Sequence, residues 1–288
     1  MNNSRLFLIS IIITIMILPS FRWPVEKPRL TSSFAESRWD HFHDGIDVIS
    51  SGDKVCPVKG GKLLYFWDKS IFPLDNYPGG GNYKIIKHEK GVYSVYMHLQ
   101  DGQKYKKSFA EDDIVGVIGN TGHSFSKHLH FTLLDSNTGL SFNPLAVLSG
   151  IDDARSPEVV EMALRIGDKY VILKDDSNIR LTRHYPLLIK IIDSISGGEK
   201  LGISKLKVSL NEKNIFFMDF NTIASSSKGF IAGRKYYEQL FDEKGYYKVE
   251  GITYEEGSNR IDISALDFSG NSVQKTYSFF VKLDMENK

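Results

Sequence analysis

Short β-like runs broken by glycine turns fill the chain from Trp23 to about Leu148. Branched and aromatic residues dominate the runs, and glycines such as Gly60-Gly61 and Gly79-Gly80-Gly81 separate them. Several short strands at this spacing favour an antiparallel all-β domain. The predicted strands cover residues 62–67, 83–88, 93–98, 114–118 and 128–134.

A domain boundary is expected soon after residue 144. Asn143-Pro144 and the acidic stretch before Pro157 break the β pattern, and a proline disfavours helical backbone in the residue that precedes it. A chain of 288 residues also exceeds the usual size of one domain. The sequence therefore predicts one β domain over residues 21–150 and a second over residues 155–288.

The second domain is expected to be an immunoglobulin-like β-sandwich, because about seven strand candidates follow one another in it. The polar segment 225–241 is expected to hold a short helix or a long loop. The predicted fold class is thus all-β, with an antiparallel β-sheet domain followed by a β-sandwich. The second set of predicted strands covers residues 159–166, 170–173, 187–192, 206–210, 246–249, 260–266 and 276–281.

The amino-terminal segment is nearly all apolar from residue 6 to residue 18 and ends at Pro19-Ser20. A membrane span needs about 20 apolar residues, so this shorter stretch is typical of the hydrophobic part of an export signal. Leu18 is not the small residue expected before a cleavage site, which leaves an uncleaved anchor as the alternative. We expect a signal peptide or a membrane anchor over residues 1–20, and a protein in the periplasm or cell envelope.

The overall charge excludes one class of partner. Thirty-six Lys and Arg residues against thirty-five Asp and Glu residues give a formal charge of +1. Proteins that bind nucleic acid usually carry an excess of Lys and Arg, and this chain has almost none, so no nucleic-acid partner is expected. The 41% of hydrophobic residues matches ordinary globular proteins and is enough to build cores.

The histidines are concentrated in the first domain. Taken singly, each histidine is more typical of a surface or structural residue than of a ligand, so their convergence decides whether they form a site. They occupy positions 41, 43, 88, 98, 123, 128, 130 and 184.

His43 and Asp47 offer an imidazole and a carboxylate, both of which can bind zinc. Ile46 and the branched residues after it favour a strand, along which residues four apart lie roughly 13 Å from each other. Joint ligation needs a bend before the strand, and Asp44-Gly45 can supply one. Alone, this motif is more typical of a solvated turn.

His128 and His130 lie in a predicted strand, where alternation places them on one face about 7 Å apart. Two imidazoles on a buried face are unfavourable unless water, an acid or a metal satisfies them. His98 ends another predicted strand. A catalytic zinc needs three protein ligands, an open position and a group that handles protons. The segments that contain His43, His98 and His130 could meet these needs only in combination.

The chain from residue 23 to residue 148 resembles the lysostaphin-type, or LytM-like, zinc metalloendopeptidases. The sequence H-D-G-I-D at 43–47 is similar to the family motif H-x-G-x-D, Y-M-H-L at 96–99 to Y-x-H-L, and H-L-H-F at 128–131 to H-L-H-F, in the family's order. The resemblance implies a Zn²⁺ cofactor. Its implied metal ligands are His43, Asp47 and His130, and its implied catalytic residues are His98 and His128.

The resemblance also implies the activity. It predicts an exported zinc metalloendopeptidase that hydrolyses peptide bonds of peptidoglycan stem or cross-link peptides during cell-wall remodelling. The alternative is a catalytically silent module that binds peptidoglycan or regulates a hydrolase. Membrane attachment through residues 6–18 and a protein partner of the second domain stay open.

Two departures from the family pattern bear on the site. Thr132 stands where the family commonly has a glutamate, so altered bonding around the ligands is expected. Phe125 and Lys127 precede the histidine pair and are expected to bring an aromatic ring and a cation near the cleft.

Overall fold

The computed structural model describes residues 21–148, 150–195 and 197–284. Strands dominate these residues, together with one short α-helix, Tyr237–Leu240, and two 3-10 turns, Glu89–Gly91 and Pro144–Ala146. The predicted all-β fold class is confirmed. The expected signal peptide or anchor over residues 1–20 lies outside the described residues.

Within the described ranges, no helix is long and apolar enough to cross a membrane.

Residues 21–148 form ten strands, most of which join one antiparallel sheet. The strands are β1 (Arg29–Ser32), β2 (Ile46–Ile49), β3 (Lys54–Val55), β4 (Gly61–Trp67), β5 (Asn82–Lys87), β6 (Val92–Leu99), β7 (Ser108–Phe109), β8 (Gly116–Val117), β9 (Leu129–Asp135) and β10 (Leu140–Phe142). The central path of the sheet runs β10-β9-β6-β5-β4-β7. Strand β2 pairs with the start of β9 on the edge that β10 occupies further along, and β1 lies beside β2.

Strand β9 is the element around which the histidine motifs assemble. It pairs with β2 along part of its length and with β6 along more of it, and both pairings are antiparallel. Leu129, Phe131 and Leu133 of β9 are fully buried and anchor it in the core. Asp47 of β2 lies directly opposite His130 of β9, and Met97 of β6 is the other neighbour of His130.

The second half of the chain builds two further five-stranded sheets. The strands are β11 (Glu158–Ile166), β12 (Lys169–Leu173), β13 (Asn178–Leu181), β14 (Leu187–Ser194), β15 (Lys200–Leu201), β16 (Lys205–Leu210), β17 (Lys213–Asp219), β18 (Thr222–Ser226), β19 (Gly229–Ala232), β20 (Lys235–Tyr236), β21 (Tyr247–Val249), β22 (Gly257–Leu266) and β23 (Ser272–Leu283). The orders of the two sheets are β12-β11-β14-β15, with β21 also beside β14, and β13-β23-β22-β16-β17. The immunoglobulin-like topology stays a prediction.

Three strands from the second half of the chain extend the first sheet. Strand β18 pairs antiparallel with β10, and β19 and β20 follow it outward. Segment 225–241 was expected to hold a short helix or a long loop, and a short helix is present at the end of the segment. Strand β19 in the same segment was not predicted, because the sequence Gly-Phe-Ile-Ala shows little alternation of polar and apolar residues. The two halves of the chain therefore share a hydrogen-bonded sheet, and the predicted domain limits stay a prediction.

The second half also supports the loop that leads into β2. The Phe42 ring packs edge-on against Tyr237 and Phe241, with ring centroids 5.5 and 6.0 Å apart. The backbone NH of Gly202 donates to the Ser33 hydroxyl oxygen over 2.7 Å. Residues far along the chain thus fix the segment from which His43 projects.

Candidate metal centre

Three donor atoms from the predicted ligands converge at the β2–β9 pairing. His43 Nε2 lies 3.1 Å from Asp47 Oδ1 and 3.0 Å from His130 Nδ1, and His130 Nδ1 lies 3.1 Å from Asp47 Oδ1. All three side chains are buried. The three distances are almost equal, as expected for donor atoms arranged around one metal ion.

The bend at Gly45 lets His43 and Asp47 meet. His43 precedes the bend and Asp47 lies inside β2, so the backbone turns between them as the sequence predicted. A Cβ at Gly45 would lie 2.5 Å from the Phe131 carbonyl oxygen and 2.7 Å from His130 Nε2. Only a residue without a side chain allows β2 to approach β9 this closely.

Hydrogen bonds to the outer nitrogens orient both imidazoles. His43 Nδ1 donates to the Ser33 carbonyl oxygen over 2.7 Å, which leaves the Nε2 lone pair directed into the triangle. His130 Nε2 lies 3.1 Å from Thr132 Oγ1 and 3.3 Å from Asp44 Oδ1. Thr132 therefore contacts the imidazole directly, and Asp44 supplies the carboxylate beside it. Such partners fix the tautomer of a metal-binding histidine.

Arg38 holds the outer oxygen of Asp47. Its Nη2 lies 2.5 Å from Asp47 Oδ2, so the carboxylate is fixed with Oδ1 directed at the imidazoles. This contact could not be predicted, because nothing in the segment around Arg38 distinguishes it from a surface arginine. The Ser33 carbonyl was missed for the same reason, since any residue can provide a backbone oxygen.

The electrostatics of the triangle favour a positive charge. Burial by itself raises the pKa of Asp47, but the bonds to His130 and His43 outweigh it and hold the pKa far below the usual aspartate range. Burial lowers the pKa of His130, yet the contacts with Asp44 and Asp47 overcome this and raise it to about 9. The carboxylates thus stabilise a cation, whether a proton or a metal, between them.

The other two histidines face the triangle from its open side. The His98 ring centroid lies 4.9 Å from that of His128 and 6.0 Å from that of His130. His128 comes one residue before β9 begins, and its Nε2 lies 3.5 Å from Asp47 Oδ1. The structure therefore brings all five predicted site residues together.

His98 and His128 each bind a carbonyl oxygen through Nδ1. His98 Nδ1 donates to Thr121 over 2.7 Å, and His128 Nδ1 donates to Ser126 over 2.8 Å. Burial lowers the pKa of His98 to about 4, with the neighbouring His130 and His128 acting in the same direction. At neutral pH the His98 ring is uncharged, and its Nε2 is free to accept a proton.

The backbone of His98 is in a rare conformation. Its φ of 59° lies in the left-handed region, which is uncommon for residues other than glycine. Such conformations cost of order 1–3 kcal/mol and persist where the surroundings hold them. Here the His98 NH donates to the Gly80 carbonyl oxygen over 2.9 Å, which holds the residue at the end of β6.

A groove of about 710 Å³ opens onto the five residues. Trp39 and Phe125 line it, and both rings are largely exposed to solvent. The expected aromatic ring near the cleft is therefore present at Phe125. Lys127 instead pairs with Asp53 over 2.6 Å and does not line the groove.

The donor set fits zinc. A tetrahedral zinc with ligands at 2.0–2.1 Å requires donor atoms separated by about 3.3 Å, close to the edges of this triangle. Two imidazole nitrogens and one carboxylate oxygen are ligands that zinc commonly takes, and three protein ligands leave a position for water. The orienting bonds from Ser33, Asp44 and Thr132 complete the arrangement.

A family model described as peptidase family M23 matches residues 41–144. Residues 41–144 form a peptidase family M23 domain. A second family model matches residues 163–282. The M23 domain contains every one of the five converging residues, and the LytM-like resemblance is confirmed.

Curated relatives are similar over the same part of the chain. Peptidoglycan DD-endopeptidase ShyA of Vibrio cholerae is 29% identical over 119 residues, covering 39% of this chain and 26% of the relative. DD-carboxypeptidase/endopeptidase Mpg of Neisseria meningitidis is 29% identical over 114 residues, covering 37% of this chain and 23% of the relative. The chain thus spans about a quarter of the length of these relatives.

Solved structures also overlap with the M23 domain. A zinc-containing peptidase from Vibrio cholerae is 27% identical, with a TM-score of 0.35, and the match covers 41% of this chain and 37% of that one. The catalytic domain of lysostaphin from Staphylococcus simulans is 22% identical, with a TM-score of 0.31, and the match covers 41% of this chain and 90% of that one.

Proposed function

We propose that this chain is an exported zinc metalloendopeptidase that hydrolyses peptide bonds of peptidoglycan stem or cross-link peptides. The observation that carries the proposal is the triangle of His43 Nε2, Asp47 Oδ1 and His130 Nδ1, with two further imidazoles on its open side. The curated relatives named as peptidoglycan endopeptidases support the substrate class. The apolar segment 6–18 supports export.

His43, Asp47 and His130 would hold the metal in this proposal. Zinc bound there would lower the pKa of water at the open position toward about 7 and polarise the carbonyl of the bond to be cut. Arg38 keeps the Asp47 carboxylate directed inward, and Ser33 keeps the His43 lone pair available. These residues give the site its rigidity.

His98 and His128 would move the proton and orient the attacking water. Because Nδ1 of His98 donates to Thr121, its Nε2 can accept a proton from a water molecule in the groove and then pass that proton to the leaving amine. His128 Nε2 lies beside Asp47 on the same side and can accept a hydrogen bond from the same water. A peptide lying in the groove beside the two imidazoles would also contact Trp39 and Phe125.

The direct test uses the full chain purified in mild detergent. We expect close to one zinc per chain by elemental analysis, and release of peptide fragments from purified sacculi. Mass spectrometry of the fragments identifies the bond that is cut. A chain that holds zinc and binds sacculi but releases nothing would instead be the silent binding module, and a chain without zinc would refute the proposed site.

Asp44 is expected to matter for zinc affinity. Its carboxylate lies 3.3 Å from His130 Nε2 and orients the ring, so Asp44→Asn keeps the shape but removes the charge. Losing such a partner costs roughly 10- to 100-fold in metal affinity. Competition with a chromophoric chelator measures the change. Asp53→Asn, which alters an exposed carboxylate paired with Lys127, is the matched control, and equal affinities in both variants would contradict the prediction.

A further inference from the structure

A second acidic cluster lies far along the chain from the histidine site. Asp153 comes from the segment between β10 and β11, Asp193 from β14, and Asp267 from the residue after β22. One carboxylate oxygen from each lies within 4.8 Å of the others. The fold thus brings three carboxylates from separate segments next to one another.

Two members of the cluster are buried, and Asp153 is partly buried. Asp193 is 1% exposed and Asp267 is 2% exposed. Asp267 is fixed in its orientation, because its Oδ1 accepts from the backbone NH groups of Ser269 and Asn271 over 2.8 Å and its Oδ2 accepts from Asn271 Nδ2 over 2.9 Å. Asp153 Oδ1 accepts from the backbone NH of Arg155 over 3.1 Å.

Two carboxylate oxygens in the cluster have no partner. Asp193 Oδ1 and Asp153 Oδ2 are both inaccessible to solvent and form no hydrogen bond. Among the residues that the structure describes, no lysine or arginine forms an ion pair with any of the three carboxylates. Burying a carboxylate oxygen without a partner is unfavourable, and two such oxygens beside a third carboxylate require a compensating positive charge.

The ligand chemistry selects the kind of cation. All the donors are carboxylate oxygens, and the cluster offers neither an imidazole nor a thiolate. Hard cations such as Ca²⁺ take six to eight oxygen ligands and accept carboxylates, carbonyls and water together. Zinc prefers nitrogen and sulfur ligands, so the two clusters differ in the metal that they suit.

We propose that Asp153, Asp193 and Asp267 form a second metal site that binds Ca²⁺. Its function is structural, because none of the three aspartates lines the groove and the site joins three segments of the second half. Asn271 Nδ2 already donates to the Asp153 carbonyl oxygen over 3.1 Å, so the segment entering β11 is held at this point. Bound Ca²⁺ fastens that segment, which connects the M23 domain to the rest of the chain.

A proton is the other charge that could occupy the cluster. Burial and the nearby carboxylates of Asp267 and Asp153 raise the pKa of Asp193 to about 7. A shared proton would relieve part of the repulsion without any metal. The two possibilities differ in how the folded chain responds to Ca²⁺ at fixed pH, which makes the proposal testable.

The test measures Ca²⁺ binding and thermal unfolding of the zinc-loaded full chain in mild detergent. Structural calcium sites of extracellular modules bind with dissociation constants of about 10⁻⁴–10⁻³ M. We expect one Ca²⁺ per chain by calorimetry, and 10 mM Ca²⁺ should raise the unfolding midpoint of the chain by about 5 °C. Asp193→Asn should abolish both effects and leave the zinc content unchanged.

Asp168→Asn serves as the matched control. Asp168 is an exposed aspartate in the turn between β11 and β12, so the same substitution there should keep the full Ca²⁺ response. If Asp193→Asn does not fold, Asp153→Asn replaces it, because Asp153 is only partly buried. The proposal is overturned if the wild-type chain shows no response to Ca²⁺, which would indicate a shared proton, or if the Asp193→Asn response equals the wild-type response.

Discussion

Replacing His130 with alanine is expected to release the zinc and to abolish peptide release from sacculi. The substitution removes the Nδ1 atom that lies 3.0 Å from His43 Nε2 and 3.1 Å from Asp47 Oδ1. Two ligands remain, and the buried Asp47 loses one of its charge partners. The loss should exceed the roughly 10- to 100-fold effect of removing a group that only orients a ligand.

The measurements are zinc content by elemental analysis and the initial rate of fragment release. His184→Ala is the control, because it also removes one histidine but lies in the second half, where its Nδ1 accepts from the backbone NH of Tyr254 over 3.1 Å. The control should retain zinc and activity. A His130→Ala protein with one zinc per chain and the wild-type rate would refute the assignment of this residue as a ligand.

The local features of the M23 domain could be predicted because short-range geometry determines them. Strand alternation was enough to place His128 and His130 on one side of the chain. The need for a bend between His43 and Asp47 followed from the strand rise, and Gly45 was the residue able to provide it. The ends of the strands were less exact, since His128 lies just outside β9.

Long-range pairing could not be predicted from the same patterns. The opposition of Asp47 and His130 depends on the register of β2 and β9, which the segments do not encode individually. Arg38 reaches Asp47 only because the loop before β2 is held by Gly202 and Tyr237 from the second half. The joining of β18 to β10 likewise crosses the predicted domain limits.

The acidic cluster illustrates the same limit. Asp153, Asp193 and Asp267 each belong to an ordinary segment, and nothing near any of them in the sequence indicates the other two. Only the folded chain shows that two of their oxygens are buried without partners. Its detection therefore depended on burial and hydrogen bonding, which a single sequence does not contain.

Exchanging His98 for asparagine is expected to separate catalysis from metal binding. His98 lies outside the donor triangle, so the His98→Asn protein should keep one zinc per chain. Asparagine is chosen because it tolerates the left-handed backbone that His98 adopts at φ 59° better than alanine does. A loss of activity can then be attributed to the missing imidazole.

The size of the loss follows from the role proposed for the ring. A positioned proton acceptor contributes about 10²–10⁴-fold to the rate, equivalent to about 3–5 kcal/mol of the barrier. We expect a decrease of that size in kcat, measured on a defined cross-linked peptide, with the unfolding midpoint and zinc content close to those of the wild type. An unchanged kcat would exclude His98 from the chemistry. A matching decrease in His128→Asn would place both rings, which lie 4.9 Å apart, in the same reaction.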